Sequence, residues 1–136
     1  MVKEKIFVLN NEQKNEYTTL LKKMAEDVQH INSHHRYAAD ADPHNVLILQ
    51  NTYDHIIKRL DKLEVHILGS DYDNGFLEVN PNNYVPKLEQ YGSILDKLLS
   101  RVENENELYV TAQEIDGTSL FKSIRYIISQ VCDIVS

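Results

Sequence analysis

The stretch NEQKNEYTTLLKKMAEDVQHINSHHRY, residues 11–37, decides the fold. Tyr17, Leu20, Leu21, Met24, Val28 and Ile31, then His35 and Ala38, recur at steps of three and four, which lines them up along one face of a helix. The spacing predicts a helix from Asn11 to about Tyr37. Asn10 or Asn11 is its expected N-cap, and Glu12 and Glu16 fall in the first turns, where carboxylates complement the helix dipole. Just beyond, Asp40-Ala41-Asp42-Pro43 separates two elements: Asp42 is a good N-cap, and Pro43 suits a first helical position that needs no N–H donor. A second helix follows, with Leu49, Tyr53, Ile56, Ile57, Leu60, Leu63 and Ile67 as its stripe and Gly69 placed to end it. Two long helices joined by so short a link are expected to form an antiparallel hairpin, with Tyr17, Met24 and Val28 against Tyr53, Ile56 and Leu60.

Downstream the pattern changes. Residues 69–85 are rich in turn formers and read as a loop, with Phe76–Val79 as a candidate short strand. From Pro86 a third helix is expected to about Val102 through Leu88, Tyr91, Leu95 and Leu98, weakened at Gly92 by roughly 1 kcal/mol relative to Ala. The acidic run Glu103–Glu107 leads into Leu108–Thr111, whose aromatic and β-branched residues permit an extended piece. Thr111-Ala112-Gln113-Glu114 has the spacing of a capping box. After Gly117 a last helix to Val135 carries the broadest apolar face: Leu120, Phe121, Ile124, Ile127, Ile128, Val131, Ile134 and Val135.

The expected fold is an all-α four-helix bundle, one helical domain over residues 1–136 built on the long antiparallel hairpin. The alternative is α+β, with Ile6–Leu9 and Leu108–Thr111 paired as a small sheet. A first helix of about 40 Å outruns third and fourth helices of about 25–27 Å. Either the N-terminal segment and the 69–85 loop fill the difference or a second copy does, and a homodimer is the expectation.

Composition bounds the function. With 42% hydrophobic and 26% charged residues, the chain has ordinary globular usage and is expected to fold. No apolar run reaches the roughly 18 residues that cross a bilayer, and the run at Ile6–Leu9 is too short for a secretion signal, so a cytoplasmic protein is expected. The lone Cys132 excludes an intrachain disulfide or a C-x-x-C pair and reads as an inert buried thiol. The net charge of −7 sits almost entirely after residue 68. Without a basic cluster, direct nucleic-acid binding and membrane attachment are not expected.

The histidines suggest chemistry most strongly. His34, His35 and His44, with Asp40 or Asp42, are the residues from which a metal site at the hairpin turn would be built. Glu26, His30 and His34 form an i, i+4, i+8 row, but His30 lies about 120° from the apolar face and should point into water. His44, His55 and His66 recur every 11 residues on one stripe about 16 Å apart, too far to share an ion, and read as solvated. Asp71-Tyr72-Asp73-Asn74-Gly75 resembles the opening of a calcium loop, yet Gly75 stands one position early and Asn82 stands where glutamate is required. No nucleophile elbow, phosphate loop, HExxH or paired-carboxylate signature is present, and no cofactor is called for. The expected function is therefore a small helical protein-binding or regulatory module without catalysis. Its contact surface is placed at Tyr72, Tyr84, Glu103, Glu105, Glu107 and Tyr109, where aromatic and acidic residues alternate and can engage a basic partner. The alternative is a metal-binding helical-bundle enzyme or sensor using the histidine-rich turn.

Overall fold

Asn10 and Gln13 open the first helix by a reciprocal exchange. Asn10 Oδ1 accepts from the Gln13 N–H at 2.8 Å, and Gln13 Oε1 accepts from the Asn10 N–H at 3.2 Å, so two donors that the first turn leaves unpaired are satisfied. A computed structural model of the chain describes residues 7–36, 43–69, 75–111, 113–114 and 119–134. Helix α1 runs Asn11–Arg36 and α2 runs Pro43–Leu68. Gly69, with φ of 96°, closes α2 in the left-handed region that a side chain would resist, its N–H donating to the Val65 carbonyl at 2.9 Å.

The third helix starts earlier and ends later than expected. Asn80 Oδ1 accepts from the Asn82 N–H at 2.9 Å and caps one 3-10 turn, Pro81–Asn83, that runs straight into α3 at Tyr84. Pro86 thus lies inside the first turn of α3 (Tyr84–Glu105), where its missing N–H costs nothing. At the other end Asn106, with φ of 55°, supplies the left-handed cap, its N–H donating to the Arg101 carbonyl. Glu103 and Glu105 therefore belong to the last turns of α3 and not to a linker. No strand forms at residues 76–79. Helix α4 runs Ser119–Ile134.

The fold is all-α. The pairing weighed as an α+β alternative does form, but as a two-residue antiparallel ladder joining β1 (Phe7–Val8) to β2 (Glu107–Leu108), continued by the Leu9 N–H to the Asn106 carbonyl at 2.8 Å. So short a ladder pins the start of α1 to the end of α3 without creating a layer.

Helix α1 runs antiparallel to α2: Glu16 pairs with Lys62 and Tyr17 with His66, while Asp27, farther along α1, pairs with Arg59. Met24 and Val28 share an internal wall with Ile56 and Leu60, as the hairpin predicts, whereas Tyr17 sits a turn or more away at His66. The more extensive neighbour of α1 is α3, again antiparallel, with Leu9 at Asn106 and Val28 at Gly92. One connected core draws on all four helices: Leu21 and Ile31, Leu60 and Leu63, Leu88, Leu95 and Leu98, then Phe121, Ile124 and Ile127. Phe121 meets Tyr91, midway along α3, edge to face at 6.3 Å, so α4 begins opposite the middle of α3. At the end where α1 begins, buried Leu9, Leu108, Tyr109 and Val110 close the bundle from within the chain. None of the described helices is long and apolar enough to cross a membrane.

Candidate functional site

The polar face of α3 lines a recess. Gln90, Ser93, Lys97 and Arg101 follow one another at helical spacing on the side away from Leu88, Leu95 and Leu98, with buried Ile94 as the floor beside them. The segment after α3 supplies the opposite wall, Thr111, Gln113 and Glu114, of a groove of about 650 Å³. A second groove of about 440 Å³ is formed by Leu77, Glu78 and Asn80 with Asn83, Lys87 and Ser123, and Gln90 lines both. The two make one trough along α3 from Asn83 to Arg101, about 27 Å at 1.5 Å per residue.

The segment after α3 is held by the interaction that capping-box spacing announces. Glu114 Oε1 accepts from the Thr111 N–H at 2.9 Å. The same carboxylate takes a two-pronged hand-off from Arg101, both nitrogens at 2.7 Å, and Arg101 also donates to the Tyr109 carbonyl at 3.0 Å while lying 4.4 Å over the Tyr109 ring. Burial pushes the Glu114 carboxyl up, but the hydrogen bonds from Arg101 and the Thr111 N–H outweigh it and hold the carboxyl below its ordinary range.

The expected contact surface is divided by this geometry. Glu103 and Glu105 are exposed on the last turns of α3 and Glu107 is half-buried beside them, with Tyr109 following. Tyr84 lies at the opposite end of α3, about 30 Å away at the helical rise, and the trough is what connects the two places. Tyr84 and Tyr109 are not surface anchors, being 3% and 8% exposed. Tyr84 falls on the apolar face of α3 in step with Leu88, Tyr91 and Leu95, and Tyr109 is covered by Arg101. Tyr72 lies outside the described residues. Among the described residues of that stretch, the exposed large apolar side chains are Phe76 and Leu77, at 60% and 44%. Periodicity does not single out Gln90, Lys97 and Arg101 because every amphipathic helix has a polar stripe; only the placement of Thr111, Gln113 and Glu114 opposite turns this one into a wall.

The histidines divide as well. His30 and His55 are exposed. His66 corrects the solvated reading: it is half-buried on α2, and its Nδ1 shares a 2.5 Å hydrogen bond with the Tyr17 hydroxyl, the rings meeting edge to face at 4.5 Å. Burial, then the charge of Lys62, lowers its pKa. The side chains of His34, His35, His44 and Cys132 lie outside the described residues, among which no group of three or more His, Cys, Asp or Glu side chains is arranged to hold a metal ion.

Inside the bundle, charged groups face one another across helix seams. Asp27 of α1, 7% exposed, accepts from Arg59 of α2 at 2.7 and 2.8 Å. Arg125 of α4 donates to Asp61 at 2.5 Å and to Glu64, 1% exposed, at 2.9 Å. These pairs tie α2 to α1 and to α4 and so position the scaffold. Comparisons of the chain with protein-family models, with curated proteins and with solved structures found no match.

Proposed function

We propose that this protein is a cytosolic protein-binding module without chemistry of its own, and that its contact surface is the trough along α3. The observation that carries this reading is the junction of two grooves at Gln90, with exposed Phe76 and Leu77 beside one end and exposed Glu103 and Glu105 at the other. A recess of about 27 Å matches roughly eight residues of extended chain at 3.3 Å each. The partner this favours is an extended segment of another protein, with an apolar side chain for Phe76 and Leu77, hydrogen-bonding groups along Gln90, Ser93 and Lys97, and a basic residue for the acidic end. The cytosolic placement rests on the lone cysteine and the lack of a long apolar run in the sequence.

Photo-crosslinkers placed at Gln90 and at His55, on the exposed side of α2, test it in the native host. Adducts to a partner are expected from position 90 and not from position 55, and Phe76→Ser with Leu77→Ser should abolish them while circular dichroism stays unchanged. Equal adducts from both positions, or binding unaffected by the double substitution, defeat the proposal. Self-association through the Phe76–Leu77 surface is distinguished by sedimentation of the purified chain: an adduct between two copies and a dimer that the same substitutions dissociate identify the occupant as this protein itself.

A further inference from the structure

A small cavity lies where the four helices meet. Its volume is about 10 Å³, and Met24, Ile56, Leu60 and Ile124 make most of its wall apolar. Two polar side chains interrupt that wall, Asp27 from α1 and Tyr91 from α3. Tyr91 is 3% exposed, and its hydroxyl is buried without a hydrogen-bond partner. Both Asp27 oxygens already accept from Arg59, but each carboxylate oxygen has a further lone pair. A buried hydroxyl without a partner is costly, and natural cores pair nearly all such groups with protein or ordered water.

We propose that this cavity is a binding site for one internal water molecule, which accepts from the Tyr91 hydroxyl and donates to the Asp27 carboxylate, bridging α3 to α1. The volume is the size of the site a single water needs and too small for two. Two polar partners meet the minimum for a retained water, and the apolar remainder excludes a charged ligand. The hydroxyl is available as a donor: burial and the neighbouring charges of Glu64 and Asp27 favour the protonated phenol over the opposing effect of Arg125. Arg125 Nε and Asn32 Oδ1 are also buried without a protein partner, but neither residue lines this cavity.

Water-oxygen magnetic relaxation dispersion on the full chain tests the site by counting long-lived internal waters. The wild type is expected to show one more than Tyr91→Phe, which removes a single oxygen and leaves the ring packing in place. In proton spectra of the wild type, the Tyr91 hydroxyl should give a direct cross-peak to a long-lived water. An unchanged count in Tyr91→Phe, or a Tyr91 hydroxyl that contacts no water, overturns the proposal. The cross-peak is read on the wild type alone, so it decides the question even if the variant folds poorly.

Discussion

Helix α2 and helix α3 both pack against α1, by different means. Across the α1–α2 seam the side chains meet as charged and polar pairs, Asp27 with Arg59, Glu16 with Lys62 and Tyr17 with His66, and α2 meets α4 through Arg125 with Asp61 and Glu64. Helix α3 makes the larger contact with α1. Where Gly92 faces α1, its neighbour is a methyl of Val28. Apolar packing tolerates rotation and sliding, whereas an Arg–carboxylate fork accepts one register. The ion pairs of α2 therefore fix its register against α1 and α4, while α3 carries a buried ion pair of its own, Arg101 with Glu114, on the outward side where the trough is built.

The largest test of this contrast is Arg125→Met. It leaves Glu64 buried without its cation and should cost about 3–5 kcal/mol in urea unfolding. Adding Glu64→Leu should restore most of the loss, because an apolar pair of similar volume can replace a buried ion pair. A single-variant cost below about 1 kcal/mol would show that the α2 seam is held by packing after all.

On the α3 side, Glu114→Gln should cost about 1–3 kcal/mol at neutral pH by weakening the fork to Arg101. Its pH dependence has a definite sign. The folded carboxyl is held below 4.5, so its contribution is complete above that value and is lost as pH falls through the folded pKa. The stability difference between wild type and variant, followed from pH 7 to 3, should shrink on acidification; a widening difference contradicts the assigned role.

Gly92→Ala tests the apolar seam in the opposite direction. A Cβ built there meets Val28 Cγ1 at 3.8 Å, an ordinary contact, so the substitution should stabilise the protein by up to about 1 kcal/mol through helix propensity alone. A loss of stability would mean that α1 and α3 are already packed to their limit.

His66 carries the smallest effect. Burial and Lys62 lower its folded pKa below 6.5, so the unfolded chain takes up the proton first and stability falls as pH drops from about 6.5 to the folded value. The ring should titrate below 6.5 by NMR, and Lys62→Ala should raise the midpoint. A midpoint at or above 6.5 in the wild type breaks the Tyr17–His66 account.

Local signals were sufficient for the elements themselves. The three- and four-residue recurrence located the four helices, Gly69 ended α2, Asn10 capped α1, and Thr111 with Glu114 formed the half of a capping box in which Glu114 accepts from the Thr111 N–H, because these depend on residues within a turn of one another. The boundaries of α3 were missed where a neighbouring turn overrode the usual reading of proline, since the Pro81–Asn83 turn feeds the helix ahead of Pro86. Everything that joins distant residues was decided by tertiary structure. Arg125 finds Glu64 from 61 positions away, α1 prefers α3 to its own hairpin partner, and the placement of Thr111, Gln113 and Glu114 turns a polar stripe into the wall of a trough. Periodicity states which face of a helix turns inward; it carries no information about which other face it meets, because apolar side chains are interchangeable in what they will pack against while an ion pair is specific only once the backbone has brought its two members within reach.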